Sequence, residues 1–242
     1  MPHITTQNGK YHYKSVPVYL GIKQIDKRQA YENLQLLDSF LHAEQLPFGP
    51  IFGTMLGMVR DNDFITWDED IDLYVKEEYE EQLKLLFPKM EQLGFKLIRY
   101  ERCGLYSIMR KGEYIDFYIL KRVNSQVRVT IGHCFLLEDW VNDTIPFHFK
   151  ELDLNIPRNF EQCLTITYGD WRTPVKYTTF ELSALQRAKA KLVFWIKQQL
   201  PDGLFFKLFR RHHTPSIQKF ESRCRQQGVA LLEPITLDCY KK

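Results

Sequence analysis

No stretch of this chain approaches the roughly 18 to 20 unbroken apolar residues that a membrane-spanning helix needs. Its opening, Met1-Pro2-His3-Ile4-Thr5-Thr6, lacks the basic and apolar regions of a secretory signal. Cysteine is sparse: Cys103, Cys134, Cys163, Cys224 and Cys239 are scattered, odd in number and include no C-x-x-C pair. That pattern argues against a disulfide framework or a structural zinc site and fits a reducing, cytoplasmic setting. Internal repeats and low-complexity tracts are also missing, which excludes solenoids and disordered linkers. What remains is 242 residues with 44% apolar and 26% charged side chains, enough for a full globular core.

Charge is unevenly spread. Residues 1–175 carry 20 Lys and Arg against 25 Asp and Glu, whereas residues 176–242 carry 13 against 5. An acidic body with a basic tail implies two different partners. In the tail, Leu185, Ala188, Leu192, Trp195 and Ile196 recur at helical spacing, and Leu204-Phe205-Phe206-Lys207-Leu208-Phe209-Arg210-Arg211 sets bulky apolar residues beside cations. Such a segment, 185–211, either lies on an anionic membrane surface or packs on the body with its lysines in water. The acidic balance of residues 1–175 argues against tracking nucleic acid.

Periodicity predicts a helix over 27–44 capped by Asp26, a short strand over 48–52, and a helix starting at Thr54. A strand over 71–75 and a charged helix over 77–93, closed by Gly94, come next. Strands over 95–100, 105–110 and 114–120 follow, then short strands and loops over 127–156. Further helices are expected over 160–168, stopped by Gly169, and 181–200, with a short piece over 204–211 beyond Pro201-Asp202-Gly203. This order implies an α/β (α+β) fold with a mixed sheet.

Chemistry concentrates in Gly53-Thr54-Met55-Leu56-Gly57-Met58-Val59-Arg60 and Trp67-Asp68-Glu69-Asp70-Ile71-Asp72. On a strand, Asp70 and Asp72 point the same way while Ile71 and Leu73 enter the core. Two carboxylates so placed repel each other unless a cation lies between them. Magnesium, or manganese in its place, prefers such hard oxygen ligands. A third carboxylate, Asp116 in Tyr114-Ile115-Asp116-Phe117-Tyr118, costs several kcal/mol to bury unless paired or liganded. Gly53 and Thr54 would let backbone amides at a helix start meet phosphate. Arg60 would pair with a phosphate oxygen or, alternatively, with Asp61 or Asp63. Asp68 is a secondary candidate, and Glu69 is expected to be a solvated or supporting group.

The Gly-Thr turn followed by Asp-x-Asp resembles the nucleotidyltransferase fold. Gly-Thr-x-Leu-Gly-x-x-Arg with Trp-Asp-x-Asp-Ile-Asp resembles the LicD-like family, which includes the fukutin-related proteins. Ile156-Pro157, Leu164, Tyr168-Gly169-Asp170-Trp171 and Pro174 form a second block similar to that family's. Asp170 and Trp171 then either line the substrate pocket or simply end a helix and pack on the core. One departure is Phe52, where many relatives carry a further glycine; another is Glu69, where the family more often has Asp.

The resemblance implies a nucleotidyltransferase-type catalytic domain over 26–175, between an N-terminal extension (1–25) and a basic helical tail (176–242). It implies magnesium-dependent transfer of phosphocholine, ribitol phosphate or glycerol phosphate from a CDP-activated donor to a glycan hydroxyl, releasing CMP. The acceptor would be a cell-surface polysaccharide, capsule or lipopolysaccharide, and a lipid-linked form would suit a peripheral position on the inner membrane surface. Asp70 and Asp72 would hold metal, and Asp116 would bind a second metal or take the acceptor's proton. Two alternatives stay open: nucleotidyl transfer from a nucleoside triphosphate, and a non-catalytic docking module.

Overall fold

The computed structural model describes residues 1–18, 23–175 and 199–240. An N-terminal hairpin, β1 (His3–Thr6) and β2 (Gly9–His12), precedes helix α1 (Lys27–Ala43). The Asp26 side chain caps α1 by accepting from the Arg28 and Gln29 amides. Then come β3 (Gly49–Pro50), α2 (Phe52–Asp61), β4 (Ile71–Lys76), a 3₁₀ turn over Glu77–Tyr79 and α3 (Glu80–Gln92). Leu93 ends α3, and Gly94 follows with φ 88°, the left-handed stop expected there. Strands β5 (Lys96–Glu101), β6 (Leu105–Arg110), β7 (Glu113–Arg122), β8 (Val127–Thr130) and β9 (Cys134–Leu137) lead to α4 (Glu138–Asn142). A second hairpin, β10 (Thr144–Phe149) and β11 (Leu152–Pro157), leads to α5 (Phe160–Tyr168). Helix α6 (Asp202–Gln226) and a closing 3₁₀ turn (Asp238–Tyr240) complete the described chain.

The central sheet runs β3-β4-β7-β6-β5, with β8 and β9 continuing from the end of β7. Only β4 and β7 run parallel in it; the other described pairs are antiparallel, so the sheet is mixed as expected. Ile71, Leu73 and Val75 of β4 and Ile115, Phe117 and Ile119 of β7 are buried, the apolar half of each alternation. Leu34, Leu37 and Leu41 of α1 and Leu83, Leu86 and Met90 of α3 are buried in the same core. Each such side chain contributes about 1.5–3 kcal/mol of burial.

Three element expectations need correction. Thr54 does not start its helix: α2 begins at Phe52 with Ile51 before it, and Thr54 lies inside the first turn. Its hydroxyl is drawn away from capping because it accepts a hydrogen bond from the Asp72 amide at 2.8 Å. The piece expected over 204–211 is instead part of the 25-residue α6, which runs through Pro215. Proline there removes one helical donor, but Phe206 before it and Phe220 and Cys224 after it are buried, so packing on both sides holds the helix. The N-terminal segment, expected only as an extension, contains the β1–β2 hairpin; its alternation is too short to stand out. The helix expected over 181–200, with Leu185, Ala188, Leu192, Trp195 and Ile196, lies almost entirely outside the described residues.

In α6 the aromatic residues of the basic segment pack on the body. Phe206 is buried, Phe205 lies under the Arg102 guanidinium at 4.0 Å, and Phe209 meets Tyr240 with ring centroids 4.9 Å apart. Leu204 and Leu208 stay exposed. Among the described residues no helix is long and apolar enough to cross a membrane.

Candidate active site

Strand register assembles the site. Asp72 of β4 lies opposite Asp116 of β7, Asp116 opposite Ser107 of β6, and Ser107 opposite Arg99 of β5. Cross-strand partners share a sheet face, so two carboxylates, a hydroxyl and a guanidinium form one row across four strands. Asp70, two residues before Asp72, adds a third carboxylate. One oxygen from each of Asp70, Asp72 and Asp116 lies within 4.8 Å of the others.

Asp72 is held from several sides. Its amide donates to Thr54, its carbonyl accepts from Ile51 at 3.1 Å, and its carboxylate takes hydrogen bonds from the Gly53 amide and the Tyr118 hydroxyl. Gly53 is a close-approach glycine: a Cβ there would lie 2.3 Å from Asp68 Oδ2 and 3.5 Å from Asp72 Oδ2. The residue before it, Phe52, has φ 49°, in the left-handed region that favours glycine. Its ring stands edge-on to Tyr118 at 4.9 Å. A non-glycine residue in this conformation stores local strain beside the carboxylates.

Asp116 is buried and divided in its contacts. Arg99 Nη2 donates to Oδ2 at 2.5 Å, and Ser107, itself accepting from Arg99 Nε at 2.8 Å, donates to the same carboxyl. While Asp70 is ionised, no donor reaches Asp116 Oδ1. Burial is the main force raising the pKa of all three carboxyls, Asp70 and Asp72 well above the usual range. Mutual repulsion adds to it for Asp70 and Asp72, and for Asp116 the Arg99 guanidinium opposes it. Asp68 is raised to about 6 by burial, with a smaller push from Glu69. An oxygen-only donor set, three close carboxylates and one buried oxygen without a donor fit magnesium or manganese.

Other expected site residues are placed as follows. Asp68 lies against Gly53, beside the trio. Glu69 is not solvated: it is 5% exposed and accepts from the Tyr114 hydroxyl at 3.2 Å. Arg60 is clamped by Asp61, Nε to Oδ1 at 2.9 Å and Nη2 to Oδ2 at 2.7 Å, and reaches the Trp171 carbonyl at 3.5 Å. Trp171 is buried, donating from Nε1 to Thr165, while Asp170 is exposed and accepts from Thr173. Neither joins the carboxylate cluster.

Arg99, Ser107, Tyr118 and Tyr168 escaped sequence reasoning. Tyr118 was within reach, since it lies two residues from Asp116 and so on its face. Tyr168 is raised well above the ordinary tyrosine range, first by burial and then by Asp72 and Asp68. Arg99 and Ser107 depend on a register that the sequence does not print.

Residues 51–159 match the family model described as LicD/FKTN/FKRP, nucleotidyltransferase domain. An uncharacterised protein of Rickettsia prowazekii (strain Madrid E) is 33% identical over 97 residues, 40% of this chain. The match spans about a third of that relative, 32% of its length. Among solved structures, the lincomycin-bound lincosamide antibiotic adenylyltransferase LnuA aligns at 11% identity with a TM-score of 0.40, over 70% of this chain and 96% of that one. The antibiotic-resistance factor ANT(2'')-Ia in solution aligns at 14% identity with a TM-score of 0.42, over 84% of this chain and 100% of that one.

Proposed function

We propose that this chain, whose residues 51–159 match the LicD/FKTN/FKRP nucleotidyltransferase-domain model, transfers a phospho-alcohol from a CDP-activated donor to a glycan hydroxyl. The phospho-alcohol would be phosphocholine, ribitol phosphate or glycerol phosphate. The acceptor oxygen forms a bond to the phosphorus bearing the alcohol. The phosphoanhydride P–O bond breaks, CMP leaves with its electron pair, and the hydroxyl proton passes to a carboxylate of the cluster.

The buried cluster of Asp70, Asp72 and Asp116 is the observation that carries this reading. Burying like charges together is costly unless something positive shares the space. Magnesium, or manganese in its place, held by these three would neutralise charge on the transferring phosphoryl group. The protein's own contribution is positioning. Gly53 and Tyr118 orient Asp72, and Arg99 and Ser107 orient Asp116 with Oδ1 left available.

A donor screen by calorimetry with magnesium, comparing CDP-choline, CDP-ribitol, CDP-glycerol, CMP, ATP and CTP, tests the donor. Tight, metal-dependent binding of one CDP-alcohol is expected; preference for a triphosphate would replace this reading with nucleotidyl transfer. Asp72→Ala and Asp116→Ala should each abolish CMP release while leaving the circular-dichroism spectrum intact. Substantial turnover by either purified variant would refute the assignment.

The basic segment 185–211 carries a smaller proposal, contact with an anionic membrane surface that would bring a lipid-linked acceptor close. Exposed Leu204 and Leu208 beside Lys207 and Arg211 support it. Leu204→Asp with Leu208→Asp should halve or further reduce cosedimentation with phosphatidylserine vesicles; unchanged cosedimentation would remove the membrane from the account.

A further inference from the structure

A cavity of about 350 Å³ is lined by Ile51, Phe52 and Met55 at the start of α2, next to Gly53. Its inner wall shares Phe52 and Tyr168 with the site already described, and its outer wall comes from β9 and α6 through Phe135, Ser216, Lys219 and Phe220. Helix α6 lies wholly beyond residues 51–159, so the pocket is completed by a part of the chain outside the family domain.

The lining has a definite chemistry. It is largely apolar, with four Phe and Tyr rings beside the His133 imidazole, and its Lys and Arg members, Lys219 and Arg223, are both cationic. Arg223 is committed, donating to the carbonyls of Ile166 and Thr167 at the end of α5. Lys219 is exposed. Among the described residues the lining holds no Asp, Glu, Asn or Gln. A planar base needs aromatic faces and its phosphates need cations, while Ser216 and Thr167 offer hydroxyls to a ribose. A pocket of this size is large enough for one small ligand and too small for a glycan chain.

We infer that this cavity holds the nucleoside end of the donor, with Phe220 and Phe135 as base-contacting walls and Lys219 as a phosphate-side cation. The inference rests on the donor being a nucleotide, as proposed above. The glycan acceptor then approaches the carboxylates from elsewhere.

Calorimetry of the full chain with CMP and AMP, each with magnesium chloride, tests this in the wild type and four variants. Ser216→Trp should fill the cavity and remove detectable binding, while Ser216→Ala should bind as the wild type does. Lys219→Ala should weaken binding about tenfold, and Phe220→Leu should weaken it while keeping the pocket wall apolar. Thermal midpoints close to the wild type's would show each variant folded. Ser216→Trp and Lys219→Ala binding CMP like the wild type, both folded, would overturn the cavity assignment and leave the donor reading in place. A wild type that binds AMP instead, with that binding lost in Ser216→Trp, would keep the cavity as a nucleotide site and overturn the CDP donor. No nucleotide binding by the wild type would overturn both.

Discussion

Single residues decide the electrostatics. Asp68 illustrates how burial acts through one group. Its carboxyl keeps a proton up to about pH 6 in the fold, whereas an unfolded aspartate loses it near 3.9. Between those values the folded protein binds more protons, so stability of the cation-free protein falls as pH rises through that window. Asp70 and Asp72 are shifted in the same direction and extend the loss upward. A divalent cation bound there would reverse the balance by replacing protons. The thermal midpoint without metal should therefore decline from about pH 5 to 8, and added magnesium should raise it more at the alkaline end. A midpoint rise from magnesium that is equal at both pH values would contradict the cluster as its binding place.

Elements transmit these residues into a fixed geometry. Helix α2 and strand β4 are tied by the Thr54 hydroxyl accepting from the Asp72 amide, a buried bond between the two halves of the motif. Thr54→Val keeps the shape but leaves that amide without an acceptor, which costs about 1–3 kcal/mol. Thr54→Ser should recover most of it. Urea melts of the two variants check this; equal stability of Val and wild type would show that the bond does little. The left-handed Phe52 at the start of α2 is a related case. The sequence marked it only as a departure from the resemblance, and its backbone angle is one that glycine adopts without strain.

At the scale of the whole molecule, a second polar cluster holds β8 and α4 to the turn after β4. Arg128, fully buried, is forked between Glu138, Nε to Oε2 at 2.7 Å, and Glu78, Nη1 to Oε2 at 2.8 Å. Glu138→Ala would leave a buried guanidinium half-paired and should destabilise by about 3–5 kcal/mol. A chemical melt measures it, and a loss under 1 kcal/mol would mean that Glu78 and water compensate. Farther along the chain, Tyr240 accepts from the Gly132 amide at 3.1 Å and stacks near Phe206. The described end of the basic tail is thereby part of the body, whatever its exposed face meets.

The carboxylates that gather and most elements were legible in the chain itself because they rest on local physics. Alternation put Asp72 of β4 and Asp70 just before its start on one side, an isolated carboxylate in an apolar strand marked Asp116, and capping and glycine rules bounded α1, α3 and α5. Tertiary structure alone decided what depends on register and on packing between distant segments. The parallel pairing of β4 with β7 sets Asp72 beside Asp116, and the antiparallel pairings beyond bring Ser107 and Arg99 into line. Nothing in a linear pattern reports that alignment, since shifting one strand by one residue would turn the whole row to the other face. The same holds for α6, whose composition left open a surface segment or a packed helix and whose buried Phe220 walls a pocket together with Phe52 and Tyr168. Local sequence sets which groups are present and which way they point; only long-range burial decides which of them meet.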